Sequence, residues 1–410
     1  MIFFYVLASM ATFLHAPFLS RFLPDSIAFK ALGAICFVYA VFYWRSGSTA
    51  PRFFESWQSR LLLLFYVIAS ASCAMGGNPS PWFIYTDFML LFFVTVCVVD
   101  SLRRLSWVLF SALAGLAYGS VHVVVEWVHF HNIYSNYRAG LSVGDGNYFA
   151  TSAVLCLPFA LLAVLHGKKL RVRLLYGGCL VVSLLGVTVC ASRGGFLALA
   201  AGLLYLVARS PHRARNLLLI SAAVLPLGLF LPVSPLHRLL HPSRGDVKTS
   251  RYRLMAWKAG ARMVSSHPLL GVGLGNFKPL MPQYADPGTP IDSMAHNTYI
   301  EVAAELGLPT LVVFLGIPFF SYRSLEKARR RARIVGREFP YYAASGLQAG
   351  LVGYMVGAFF LSAEYQKLFW LAIMLSMCLP RLVRVRRKRQ GIVPDADVTS
   401  IPLFAESPQS

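Results

Sequence analysis

The chain has 410 residues, 57% of them hydrophobic and only 13% charged, with a mean hydropathy of +0.59. Those values exclude an ordinary soluble domain and point to an all-α polytopic membrane protein. The formal net charge of +21 invites a nucleic-acid partner, but the placement of the basic residues argues against one.

The apolar runs are continuous over about 17–25 residues, the length a helix needs to cross a bilayer, whereas a barrel strand would alternate apolar and polar positions. Twelve spans are read, at 2–20, 26–44, 60–76, 82–99, 105–126, 147–166, 174–191, 194–209, 215–232, 297–321, 341–362 and 366–382. Met1–Ser20 has no basic stretch ahead of its apolar run and is read as the first span, not a cleavable signal. The seven cysteines lie in or beside apolar runs without a C-x-x-C pair, and read as packed thiols.

Basic clusters at 45–60, 103–104, 168–173, 209–215, 323–337 and 381–389 all fall on one side of this arrangement. The positive-inside rule makes that side the cytoplasm and places both termini there. The expected division is helices one to nine over 1–232 with a short outer loop at 127–146, a large periplasmic loop over 233–296, helices ten to twelve over 297–382, and a basic cytoplasmic tail over 383–410. The stretch 391–410 reads as a disordered end.

A second set of cations breaks the rule: Arg138, Arg193, Arg238, Arg244, Lys248, Arg251, Arg253, Lys258, Arg262 and Lys278 all face outward. The large loop contains one amphipathic helix, Ser250–Ser266. On an ideal wheel Leu254, Trp257, Ala261 and Val264 form its apolar stripe, and Arg251, Lys258 and Arg262 a basic one. Such a helix suits the membrane interface or a lid packed on the bundle.

Arg193 lies in the tight turn Cys190-Ala-Ser-Arg-Gly-Gly195, with almost no loop to carry it into water. Its guanidinium offers a planar fork for phosphate, and Gly194 and Gly195 would let a ligand approach the backbone; snorkelling to head groups is the plainer alternative. In Ala295–Thr310, His296 precedes Glu301 and Glu305, which share a helix face. An imidazole there suits a general base, or simply a bond to the next turn. His122, Glu126, His129 and His131 could suggest a metal, but their spacing fits an interfacial belt better. Gly271-Val-Gly-Leu-Gly275 lacks the context of a dinucleotide fingerprint and reads as a turn. Ser265, Ser266 and His267 lack a nucleophile elbow. No phosphate loop or acidic metal pair is present, so a transferase here would use an already activated donor, with neither cofactor nor metal.

Four patches together resemble the bacterial O-antigen ligases and their relatives, the O-antigen polymerases and O-linking oligosaccharyltransferases. They are Arg138-Ala-Gly140 with Asn147, Ser192-Arg193-Gly194-Gly195, Arg253-x3-Trp257 followed by Pro268 and Gly271-x-Gly273, and His296-Asn297-x9-Gly307-x2-Thr310. Gly146 stands before Asn147 where relatives usually carry Pro. Arg251 and Arg253 compete for one family arginine, and the spacing to Trp257 favours Arg253.

The resemblance implies an inner-membrane glycosyltransferase acting on the periplasmic face. Its donor would be O-antigen on undecaprenyl diphosphate, and its acceptor a sugar hydroxyl of lipid A-core. It also implies His296 as the base and Arg193 and Arg253 as the catalytic cations, with Arg138, Arg251, Lys258, Asn297, Gly194 and Gly195 around the diphosphate and glycan. A polymerase or protein-directed oligosaccharyltransferase is the rival within the superfamily. A transporter or flippase of lipid-linked sugars is the rival outside it, although the polar residues gather at one face instead of the midplane.

Overall fold

The computed structural model describes residues 1–10, 25–45, 53–131, 133, 137–210, 213–215, 217–218, 240–286, 293–383, 386–388 and 391–393. Most of the ninth expected span, the second half of the first and the start of the large loop lie outside them. The described helices are α1 (Ile2–Met10), α2 (Asp25–Arg45), α3 (Trp57–Ala74), α4 (Pro79–Val98), α5 (Leu102–Phe130), α6 (Gly146–Ala153), α7 (Leu157–His166), α8 (Leu170–Val189) and α9 (Arg193–Ala208). They continue with α10 (Arg244–Ser266), α11 (Phe277–Tyr284), α12 (Thr298–Leu306), α13 (Leu308–Ile334), α14 (Glu338–Gly357) and α15 (Lys367–Leu382). Apart from an antiparallel pairing of Arg386–Lys388 with Gly391–Val393, the described regular structure is helical.

Among the described residues, six segments are long and apolar enough to cross a membrane: α3, α4, α5, α6 with α7, α8 and α13. Two expected spans are each divided. Pro158 has no N–H to give the Val154 carbonyl, and the chain tightens between α6 and α7 into i→i+3 bonds from Leu155 to Ser152 and from Cys156 to Ala153. Gly307, at φ +85°, separates α12 from α13.

Local chemistry sets the helix starts. Asn78, Ser101, Asp145, Ser192, Ser243 and Asn297 each accept a backbone N–H of their own helix's first turn. Ser243 and Asp246 complete a capping box, which starts α10 six residues before the 250 boundary read from its pattern.

The bundle closes around α15, buried from Leu368 to Leu379. Gly346, Gly350, Gly353 and Gly357 of α14 bring that helix against α7, α6 and α9. A Cβ on Gly346 would sit 2.6 Å from Phe159, and one on Gly353 would sit 2.4 Å from the Ala198 carbonyl. Small residues allow this close contact, and it fixes the Arg193 end of α9 beside the turn that follows α14.

The loop helix α10 uses only part of its expected stripe: Trp257 and Val264 pack inward, while Leu254 and Ala261 are exposed. Ala256, Ala259, Gly260 and Met263 are buried, while Leu254 is 55% exposed. Gly260 explains the choice, because a Cβ there would stand 2.4 Å from Ile300 of α12. With Phe277, Met281, Ala295 and Ala304 these residues form a second, smaller core. The helix is thus a lid packed on protein.

Candidate active site

His296 follows the buried Ala295 and precedes the buried Asn297. Asn297 turns its side chain back to accept from the N–H groups of Tyr299 and Ile300 at 3.0 and 3.2 Å, starting α12. Thr298 fastens that start to the turn after α14: its N–H reaches the carbonyls of Ala358 and Leu361, both at 2.9 Å. The His296 N–H donates to Ser362 Oγ at 3.1 Å, and the same hydroxyl donates to Glu301. The His296 N–H is therefore engaged, whereas its Nδ1 is buried with no hydrogen-bond partner.

The loop helix supplies the next group. Trp257 Nε1 donates to the Ala295 carbonyl at 2.9 Å, and its ring packs edge-on to Phe359 at 5.2 Å. Arg253, one turn earlier on α10, has its Nε buried without a partner. Burial lowers its affinity for the proton, the nearby Arg193 charge lowers it further, and Asp145 and Tyr148 oppose them; arginine stays charged regardless. His296 lies in the same field. Burial pushes its pKa below the ordinary imidazole value, the Arg253 charge adds to this, and Asp145 pulls the other way.

Arg193 opens α9 and reaches across to α10, with Nη2 3.7 Å from Asp246 and 3.5 Å from Ser250 Oγ. Asp246 is the buried capping-box carboxylate, so one side chain both starts the loop helix and faces the arginine. Arg138 approaches from the short loop; its Nη2 donates to Asn147 Oδ1 at 2.9 Å and its Nε to the Cys190 carbonyl at 3.4 Å. Asn147 thus holds Arg138 beside the Arg193 turn even though Gly146 precedes it.

Two non-glycine residues have left-handed backbones among the described residues: Ala191, at φ +52°, and His296, at φ +49°. One sits in the turn that presents Arg193, and the other is the candidate base. Such conformations gather at functional sites because surrounding structure must hold them there.

The remaining residues singled out from the sequence are placed as follows. Arg251 and Lys258 are exposed, away from the Arg253 side of α10. Gly194 and Gly195 serve close packing: a Cβ on Gly195 would lie 2.6 Å from Ala150, and one on Gly194 would lie 3.0 Å from Phe360. Glu305 is buried and accepts from the N–H groups of Gly275 and Phe277 at 2.8 and 3.1 Å, docking the Gly271–Gly275 turn onto α12. The hydroxyls of Ser265 and Ser266 donate back to carbonyls of their own helix.

Sequence reasoning placed Glu126 only in an interfacial belt and assigned Asp145 no role. Glu126 accepts from Tyr137 Oη at 2.6 Å and from the N–H groups of Gly140, Leu141 and Ser142 at 2.8–3.1 Å. It organises the loop that presents Arg138. Among the described residues no group of three or more His, Cys, Asp or Glu is placed to hold a metal ion. Asp145 caps α6 and lies within electrostatic reach of both Arg253 and His296. An N-cap Asp before Gly-Asn was visible in the sequence, but its neighbours across the loop were not.

No curated protein matches the chain at a significant level. Residues 178–315, which include Arg193, Arg253, His296 and the whole of α10, match the family model described as O-antigen ligase. That segment holds Arg193, Arg253 and His296 but not Arg138, and over it the chain is similar to the O-antigen ligase family, which supports a protein of that family.

Proposed function

We propose that this protein transfers O-antigen from undecaprenyl diphosphate to a sugar hydroxyl of lipid A-core, on the periplasmic face of the bacterial inner membrane. The observation that carries this reading is a pair of buried, unpartnered nitrogens, His296 Nδ1 and Arg253 Nε, beside the Arg193 turn. A buried imidazole nitrogen without a partner is suited to accept a proton from a substrate hydroxyl. A guanidinium with an unused donor in a low-dielectric setting is suited to a phosphate oxygen.

In this reading the acceptor oxygen attacks the anomeric carbon of the donor sugar while its proton passes to His296. The bond from that carbon to the diphosphate oxygen breaks on the opposite face, and Arg193 and Arg253 stabilise the negative charge of the departing undecaprenyl diphosphate. Arg138, held by Asn147, adds a third cation. Displacement with a base on one side and a leaving group on the other inverts the anomeric centre. Arg251 and Lys258, exposed on the same helix, would meet the glycan or the outer head groups.

The test is reconstitution. Purified protein is mixed with undecaprenyl-diphosphate glycan and lipid A-core without divalent metal or nucleotide, and products are followed on a lipopolysaccharide gel. A ladder on the core that disappears with Arg193→Ala or His296→Ala, each inserted normally, supports the reading. Longer lipid-linked chains without core transfer make the protein a polymerase. No glycan chemistry, with cysteines at 193 and 296 labelled from both sides of the membrane, makes it a transporter.

A further inference from the structure

The end of the bundle opposite Arg193 and His296 carries a second group of cations that the transfer reaction does not use. α9 begins at Arg193, and α14 ends beside the turn that holds His296. At 1.5 Å per residue their other ends lie about 24–30 Å away. There Ala208, the end of α13 and the start of α14 border a cavity of about 620 Å³. Its lining includes Arg209, Arg213, Arg329, Arg333, Arg337 and Tyr341.

Two of these arginines are fixed as wall. Glu326, just behind, accepts from Arg209 and takes both Nε and Nη2 of Arg329 at 3.0 Å, while Arg329 also lies over the Tyr341 ring at 5.6 Å. Gln348 donates to the same carboxylate at 3.2 Å. Among the described residues Glu338 is the one carboxylate in the lining, and it also faces Lys168 at 3.3 Å. Setting Glu326 and Glu338 against the five lining arginines leaves an excess of three positive charges around one cavity.

The positive-inside rule accounts for basic residues on this side, but it asks only for charge in loops. It does not ask for an open cleft in which a carboxylate, itself bonded by an amide, holds arginines side by side against their mutual repulsion. Guanidinium forks arranged so match phosphate oxygens, and basic pockets between helices at this depth suit lipid head groups. We propose that this cavity binds a phosphate-bearing anion, either the phosphodiester head group of an anionic lipid in the leaflet opposite the transfer site or a soluble phosphate of the same chemistry.

The test uses the full-length protein in neutral detergent and native mass spectrometry. An Arg193→Ala background keeps phosphate from being captured at the transfer site. Dioleoyl phosphatidylglycerol is titrated, with dioleoyl phosphatidylcholine as the zwitterionic control and inorganic pyrophosphate as the soluble probe. Phosphatidylglycerol is expected to be retained over phosphatidylcholine, and Arg333→Ala with Arg337→Ala to weaken retention about tenfold. Arg323→Ala with Lys327→Ala removes the same charge from the exposed side of α13 and is expected to change nothing. Should the cavity double variant melt early, the single Arg333→Gln is read in its place. Pyrophosphate binding that the cavity variant abolishes, without lipid retention, assigns the soluble source. Equal retention in wild type and cavity variant, or equal loss in both double variants, overturns the proposal.

Discussion

Trp257 Nε1 donates to the carbonyl oxygen of Ala295, so the loop helix is fastened to the residue immediately before His296. This bond explains the Arg-x3-Trp spacing physically. The tryptophan locks α10 at the histidine, and the arginine one helical turn earlier then falls beside the imidazole.

Trp257→Phe keeps the ring contact with Phe359 but leaves the buried Ala295 carbonyl without its donor. An unsatisfied buried acceptor costs about 1–3 kcal/mol, here confined to the loop. Glycan transfer is expected to fall in kcat more than in KM, because the base and cations lose register. Steady-state transfer kinetics beside a thermal melt would show it, and an unchanged kcat would remove the tryptophan from the positioning argument.

The pH profile has a defined sign. His296 serves as a base only when neutral, and burial and Arg253 hold its pKa below the ordinary imidazole value. Activity is therefore retained at neutral pH and lost as pH falls through that lowered value. Arg253→Gln removes a lowering influence and moves the acid limb to higher pH. Asp145→Asn keeps the helix cap, removes a raising influence and moves the limb lower. Limbs that stay put in both variants would mean that His296 is not the base.

Glu126→Gln replaces an acceptor of four hydrogen bonds by a group that is half donor. Amide hydrogens would then face backbone N–H groups of the Gly140–Ser142 turn. A loss of about 1–3 kcal/mol is expected, with weaker donor binding because Arg138 is carried by that turn. Calorimetry and a donor-binding titration would separate the two effects.

Two glycines with positive φ should respond differently. Gly307, at φ +85°, faces the Leu269 carbonyl, which a Cβ would approach to 2.1 Å. Gly336, at φ +70°, has open space around it. Gly336→Ala is expected to cost only the left-handed backbone penalty, about 1–2 kcal/mol. Gly307→Ala should also push the Gly271–Gly275 turn away from α12 and lower the yield of folded protein, measured by fluorescence-detected gel filtration.

Much of this was legible from sequence. Apolar run length located the six long apolar segments found among the described residues, and Arg193, Arg253 and His296 stood out as cations and imidazole in unfavourable places. The burial side of α10 was legible only in part, because Ala256, Ala259 and Gly260 are small and a wheel weights them below Leu254. What decides the matter is Ile300, forty residues away. The role of Glu126 was hidden for a similar reason, since its partners are backbone N–H groups of another segment. The breaks at Pro158 and Gly307 had visible causes, but hydropathy averages over them.

The left-handed backbone of His296 has a consequence for variation of this protein. A side chain there carries a conformational penalty of about 1 kcal/mol that glycine does not. His296→Gly should therefore relax the turn while abolishing transfer, giving a tougher but inert protein. Screens that reward heat resistance alone would enrich dead enzyme at this position, and any stabilised version must be selected for glycan transfer at the same time.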